Sequence, residues 1–227
     1  MGFLDSVFGR PDQRSVEDQP VACPYCGVVL DTPPKGSRKC PACRDKIVVR
    51  TRRSDGAKQY LTEHDAKVFD AERKADVFRN KAIRAADMIG MDKATFERTE
   101  KELLAKSPGN GPGDVFWTLA NKQVANQMRS GNWHGLSMTY FQQALWLHNE
   151  GRPYVRLKVE AEKARAQSYT GLDRQELEVD ASHCCPNCSK FNGRIYPIEQ
   201  ALREWPVPVQ ECTNGWCLCT WLPVVPD

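Results

Sequence analysis

The chain has 227 residues, 41% of them apolar, and a formal net charge of +3, enough for one or two domains with ordinary cores. No apolar run approaches the ~18 residues of a membrane-spanning helix, and the first ten residues lack the basic start and apolar core of a secretory leader. The ten cysteines fall in short-spaced groups at the two ends, which suits metal-bound thiolates in a reducing cytoplasm better than a secreted disulfide scaffold.

Residues 1–20 read as a terminal segment and linker. Phe3, Leu4, Val7 and Phe8 give Met1–Arg10 one apolar side, and the segment to Pro20 is polar. Met1-Gly2 with Ser6 formally fits a myristoylation signal. Docking of the Phe residues on the body or on a partner is the simpler reading.

Residues 21–61 predict a zinc ribbon. Cys23-Pro24-Tyr25-Cys26 and Cys40-Pro41-Ala42-Cys43 are two Cys-x-x-Cys knuckles separated by thirteen residues. Two residues between ligands let both sulfurs of a knuckle reach one ion, and two knuckles complete a tetrahedral four-sulfur shell. Val28–Leu30, Ile47–Arg52 and Gln59–Leu61 read as strands, with a hairpin turn at Ser54-Asp55-Gly56. Metal would stand in for a core too small to fold alone. The span holds nine bases and three acids. Arg50, Arg52, Arg53 and Lys58 could line a phosphate-contacting edge, with Tyr60 stacking on a base, so nucleic acid is a candidate partner for residues 35–60.

Residues 62–170 read as a central helical bundle or array. Thr62 and Asp65 form a capping signal. Val68, Ala71, Ala75, Phe78, Ala82, Ala85 and Ile89 then mark one apolar stripe on a long helix ending at Gly90. Asp92 caps a second helix that stops before the Gly/Pro-rich Ser107–Gly113. Asp114 is expected to cap a third, closing at Gly131. A fourth runs from about Gly135 to Glu150, and a fifth from Pro153 to about Tyr169. Phe141 and Trp146 belong to the core, and His64, His134 and His148 lack a ligand pattern.

Residues 171–227 predict a zinc-bound β module. Glu176–Asp180 alternates as a strand and leads to Cys185-Pro186-Asn187-Cys188, a third knuckle. The answering half is irregular. Cys217 and Cys219 are two apart and face one side of an extended chain, so Cys185, Cys188, Cys217 and Cys219 are the expected ligands. Cys212 competes for one of the last two places, and Cys184 would point away. Arg194–Pro197 is a short strand, Ile198–Trp205 a helical turn, Trp205–Val209 extended, and Trp221–Val225 an apolar strand. Cys-x-x-Cys, then Asn192–Pro197, a proline-containing stretch, Cys-x-Cys and an apolar strand resemble the C-terminal cysteine motif of phage head-morphogenesis (minor head) proteins. That motif usually has a histidine before its Cys-x-Cys and arginine between the cysteines; here Cys212 and Leu218 stand near those places. The resemblance covers about forty residues and implies a zinc-knitted tail.

The expected class is therefore mainly α with small β modules, holding two Zn²⁺ ions. A four-cysteine zinc is coordinatively closed, and the sequence shows no nucleophile–base motif, no paired-carboxylate signature, no phosphate loop and no deaminase pattern. The chain is read as a non-enzymatic adaptor or structural protein acting through protein contacts, possible in a phage-type or other large assembly. Nucleic-acid binding by the basic ribbon is the alternative. A metal-dependent hydrolase built on Cys212, His183 and an incomplete tail site is the lesser one.

Overall fold

The computed structural model describes residues 20–170, 176–204, 207 and 212–224. The expected turn at Met1–Arg10, the linker before Pro20, the extended stretch at 205–209 apart from Val207, and Val225 lie outside the described residues. About half of the chain is helical, with small antiparallel sheets: seven helices and eight short strands are described. It clusters into two units that divide between Asp76 and Val77.

In the first unit, β1 (Val21–Ala22) pairs with β2 (Val29–Leu30) around the first knuckle. A second sheet has the order β3 (Arg38–Lys39), β4 (Lys46–Thr51), β5 (Lys58–Leu61). β1 and β3 were not anticipated, because neither Val21–Ala22 nor Arg38–Lys39 belongs to an apolar β-branched run like Val28–Leu30. The core is small: Cys23, Leu30, Cys40 and Ile47 are buried, with Val21, Cys43 and Tyr60 packed on them. Two fully buried aliphatic side chains contribute only about 1.5–3 kcal/mol each, so the cysteines are the larger part of what this unit has to hold it.

Helix α1 (Glu63–Asp87) starts in this unit. The Asp65 amide donates to Thr62 Oγ1 at 3.0 Å, and the Glu63 amide donates to Tyr25 Oη at 2.8 Å. Two amide donors of the first turn are thus satisfied, one by a knuckle side chain. Arg50 holds Asp70 bidentately, at 2.9 and 2.6 Å.

The expected stripe along α1 does not stay on one buried face. Val68 (45% exposed), Ala71, Ala75 and Phe78 are exposed, whereas Ala82, Ala86 and Ile89 are buried. Ala66 is the buried residue of the early turns. The helix changes the face it covers along its length, and a period read as one stripe cannot show that change.

In the second unit, α2 (Lys93–Lys106), α3 (Pro112–Ser130), α4 (Trp133–Asn149) and α5 (Val155–Tyr169) follow the late turns of α1. Their first core gathers Ala82, Ala86, Ile89, Phe96, Phe116, Leu119 and Trp146. The Phe116 and Trp146 rings stack at 4.8 Å. Asp92 caps α2 as expected, accepting from the Thr95 amide at 2.8 Å. α3 begins before the expected Asp114: Gly111 is the N-cap, Pro112 opens the first turn, and the Asp114 carboxylate reaches back to the Gly111 amide at 2.8 Å. The Gly/Pro run is therefore partly helical, since proline is at ease in a first turn. α4 likewise starts earlier than Gly135, with Asn132 accepting from the Gly135 amide at 2.9 Å.

The tail folds as β6 (Glu176–Asp180), α6 (Pro186–Ser189), β7 (Ile195–Pro197), α7 (Ile198–Glu204) and β8 (Thr220–Pro223). Its sheet has the order β7-β6-β8, all antiparallel. Leu177, Val179, Ile198, Val207 and Trp221 form its core, together with Ala166 of α5 and four buried cysteines.

Candidate metal centres

The first centre is built by two knuckles of the same shape. In one, the Cys23 amide donates to Val28 O (2.8 Å) and the Gly27 amide to Cys23 O (2.9 Å). In the other, the Cys40 amide donates to Asp45 O (2.8 Å) and the Arg44 amide to Cys40 O (3.0 Å). Each turn closes through a left-handed residue, Gly27 at φ 72° and Arg44 at φ 65°. Glycine adopts that conformation at no steric cost, but arginine does not. The sulfurs of Cys23, Cys26, Cys40 and Cys43 all lie within 4.8 Å of one another. Cys23 and Cys43 are 3.8 Å apart, and Cys26 and Cys40 3.9 Å. A tetrahedral metal with ~2.3 Å bonds to sulfur needs sulfur–sulfur edges of about 3.8 Å, which these two separations match.

The thiols also show what a cation would do there. The Cys43 amide leads the groups that hold the Cys40 thiol down at about 7. The Asp45 amide pulls the Cys43 thiol down, but burial and the Cys26 and Cys40 sulfurs outweigh it and push Cys43 up to about 12. Neighbouring thiols cannot all ionise unless a positive charge replaces their protons.

The tail brings together six sulfurs. Cys185, Cys188 and Cys212 form one group within 4.8 Å, and Cys188, Cys217 and Cys219 form another. Cys185 lies 3.6 Å from Cys188 and 3.7 Å from Cys212. Of the four expected ligands, Cys217 and Cys219 do share one side, with Leu218 between them exposed. Cys212, the competitor for one of the last two places, lies with Cys185 and Cys188, while Cys217 and Cys219 share only Cys188 with that group. Cys184 stands in neither group; its sulfur lies 3.0 Å from that of Cys219, in the segment that leads into β8. Burial raises Cys185, yet the Thr213 amide and hydroxyl and the Cys188 groups outweigh it and bring it to about 5. Cys219 acts first in lowering Cys217 to about 6, while burial pushes Cys188 up to about 11 and raises Cys212.

Tyr154 was missed by the sequence reading. Its hydroxyl donates to Gly215 O at 3.0 Å and accepts from the Cys217 amide at 3.3 Å. Its ring stacks on Trp216 at 4.7 Å, with His148 edge-on at 5.1 Å. It pins the loop that delivers Cys217, and burial raises its own ionisation. A single tyrosine at the start of a helix gives no sequence signal for such a long-range contact.

The proposed basic edge is divided. Register pairs Arg50 with Gln59, Thr51 with Lys58 and Val49 with Tyr60. Residues paired across antiparallel strands share a face. Arg50 therefore lies on one face, and Lys58 and Tyr60 on the other. Arg50 is bound to Asp70, and Arg52 to Asp55. Tyr60 packs on the unit's core, and Arg53 and Lys58 are exposed. His183 is exposed and stands in neither cysteine group.

Among the described residues no helix is long and apolar enough to cross a membrane. Comparison with protein-family models, curated proteins and solved structures finds no match. Both cysteine groups can hold metal ions.

Proposed function

We propose that the chain is a non-enzymatic zinc-organised adaptor or structural protein, with a zinc ribbon at residues 21–61 and a zinc-bound β module in the tail. The observation that carries this reading is the Cys23/Cys26/Cys40/Cys43 foursome. Its sulfurs all lie within 4.8 Å of one another, two pairs of them at 3.8 and 3.9 Å, and would fill every position on one ion, which suits a structural site and leaves no place for substrate. The soft four-sulfur donor set favours Zn²⁺. Beside this centre the ribbon exposes an apolar edge, with Val29 61% and Val28 39% exposed. They rim an open depression of ≈ 600 Å³ with Pro41, the bases Arg38 and Lys39 and one acid, Asp31. Apolar residues rimmed by bases suit a protein partner with an apolar, acidic face. The likeness of the tail to the minor-head cysteine motif supports a place in a large assembly of phage type. Capture of partners by the full zinc-loaded chain from its native extract tests the reading, run beside Val29→Asp. A stoichiometric partner lost with that substitution is expected. No stoichiometric partner, or one held equally by both chains, would overturn it.

A further inference from the structure

One sulfur of the tail has no place in either cysteine group. Cys185, Cys188 and Cys212 form one group of three, and Cys188, Cys217 and Cys219 the other; Cys184 stands in neither. Its sulfur nevertheless lies 3.0 Å from that of Cys219. Cys185, by contrast, keeps 3.6 Å from Cys188 and 3.7 Å from Cys212. Two thiolates on one tetrahedral zinc stand about 3.8 Å apart, and two sulfurs joined in a disulfide about 2 Å. The Cys184–Cys219 separation falls below the first distance and within about 1 Å of the second. It suits two sulfurs that can bond to each other better than two that share an ion.

The fold holds both residues in place. β6 and β8 pair antiparallel, with Asp180 opposite Thr220, and Cys219 immediately precedes Thr220. Cys184 sits in the turn after β6, its amide donating to Ala181 O at 3.2 Å and its carbonyl accepting from the Ser189 hydroxyl at 3.2 Å. The two thiols differ in access. Cys219 is 0% exposed, whereas Cys184 is half-buried. An oxidant in solution therefore meets Cys184 first, and Cys219 is the neighbouring thiol that resolves it. Resting on the reading of the tail as a metal centre, we propose that Cys184 and Cys219 form a reversible disulfide that withdraws Cys219 from the metal.

The oxidant is hydrogen peroxide. Its O–O bond breaks as the Cys184 sulfur takes one oxygen, which gives a sulfenic acid and one water. The Cys219 thiolate then attacks the Cys184 sulfur. The S–S bond forms, the S–O bond breaks, and the departing hydroxide takes a proton from solvent to become the second water. Two electrons pass from the two sulfurs to the peroxide, and a dithiol reductant returns them. A sulfur in a disulfide no longer serves as a thiolate ligand, so Cys188 and Cys217 lose the third member of their group. Residues 21–61 hold four cysteines and no spare thiol, so the ribbon lacks this device.

The test uses the full reduced chain, loaded with zinc, desalted and treated with one equivalent of hydrogen peroxide. Native mass spectrometry counts the metal, and fragment-ion mapping finds the linkage and separates Cys184 from the adjacent Cys185. Two zinc ions per chain are expected before oxidation. One is expected afterwards, with a Cys184–Cys219 linkage and a chain mass lower by two hydrogens. Dithiothreitol and zinc should restore the second ion. Cys184→Ser should hold two ions before and after the same dose. No disulfide, or a first one between other cysteines, would overturn the proposal and leave the metal centre standing. So would a Cys184–Cys219 linkage with both ions retained, or an ion lost as readily from Cys184→Ser as from the unaltered chain. Fewer than two ions before oxidation would overturn the metal reading of the tail, and the switch with it. The linkage map of the unaltered chain decides the matter even where Cys184→Ser fails to fold.

Discussion

Lys158 and Glu162 form a buried ion pair one turn apart on α5, at 2.6 Å, with 4% and 1% of their side chains exposed. Lys158→Met keeps an aliphatic side chain but removes the ammonium that lies 5.2 Å from the Phe141 ring centroid and leaves the Glu162 carboxylate without its main partner. Breaking a buried pair on one side costs about 3–5 kcal/mol. Glu162 retains the Thr220 hydroxyl at 3.0 Å and the Arg165 guanidinium at 3.7 Å, so the lower end, about 3 kcal/mol, is expected. With a urea slope of about 2 kcal/mol/M, the unfolding midpoint falls by about 1.5 M. Trp216, whose ring lies 6.0 Å from Lys158 Nζ, reports the transition by fluorescence, in excess zinc so that metal occupancy is constant. The double substitution Lys158→Met with Glu162→Leu should recover to within about 1 kcal/mol of the unaltered chain, because an apolar pair replaces a desolvated charged one. A single-variant shift below about 0.5 M, or a double variant no better than the single, would refute this reasoning.

Tyr154→Phe removes the acceptor for the Cys217 amide and should weaken metal binding in the tail about 10–100-fold, with ribbon affinity unchanged, as read by competition with a chelator. Gly27→Ala should destabilise the ribbon by about 1–2 kcal/mol through backbone strain alone, because an added Cβ meets nothing within 4 Å; Arg44→Gly in the matching knuckle should not destabilise it, and thermal melts of the zinc-loaded chain check both. Arg50 holds the Asp70 carboxyl below its ordinary range. A lowered folded-state value means that the stabilisation is present above the ordinary carboxylate pKa, about 3.9, and is lost as pH falls through the depressed value. The melting difference between the unaltered chain and Arg50→Gln should accordingly be full at neutral pH and narrow on acidification in excess zinc; a constant difference contradicts the ion pair.

Local chemistry was the legible part. Both early Cys-x-x-Cys knuckles, the Asp92 cap, the stop at Gly131 and the strands at Lys46–Thr51 and Glu176–Asp180 follow from spacing and periodicity over a few residues. What escaped depends on residues far apart in the chain. Cys184 reaches Cys219 only because β6 and β8 pair side by side. Tyr154 reaches Gly215 and Cys217 across 61 and 63 residues. The regular apolar steps along α1 hid a change of buried face, since periodicity names a face but not what covers it. The basic residues of the ribbon were visible as a surplus, but the acids that bind Arg50 and Arg52 could be assigned only with the register known.

The central claim is that sulfur-bound metal holds each cysteine module together. Amide hydrogen exchange of the reduced chain, before and after stripping metal with a chelator, tests it most directly. Protection of Cys23–Leu61 and of Leu177–Trp221 should collapse on stripping and return with zinc, while the late turns of α1 and helices α2 to α4 keep theirs. Unchanged protection of both cysteine modules in a chain shown to carry no metal would contradict the account.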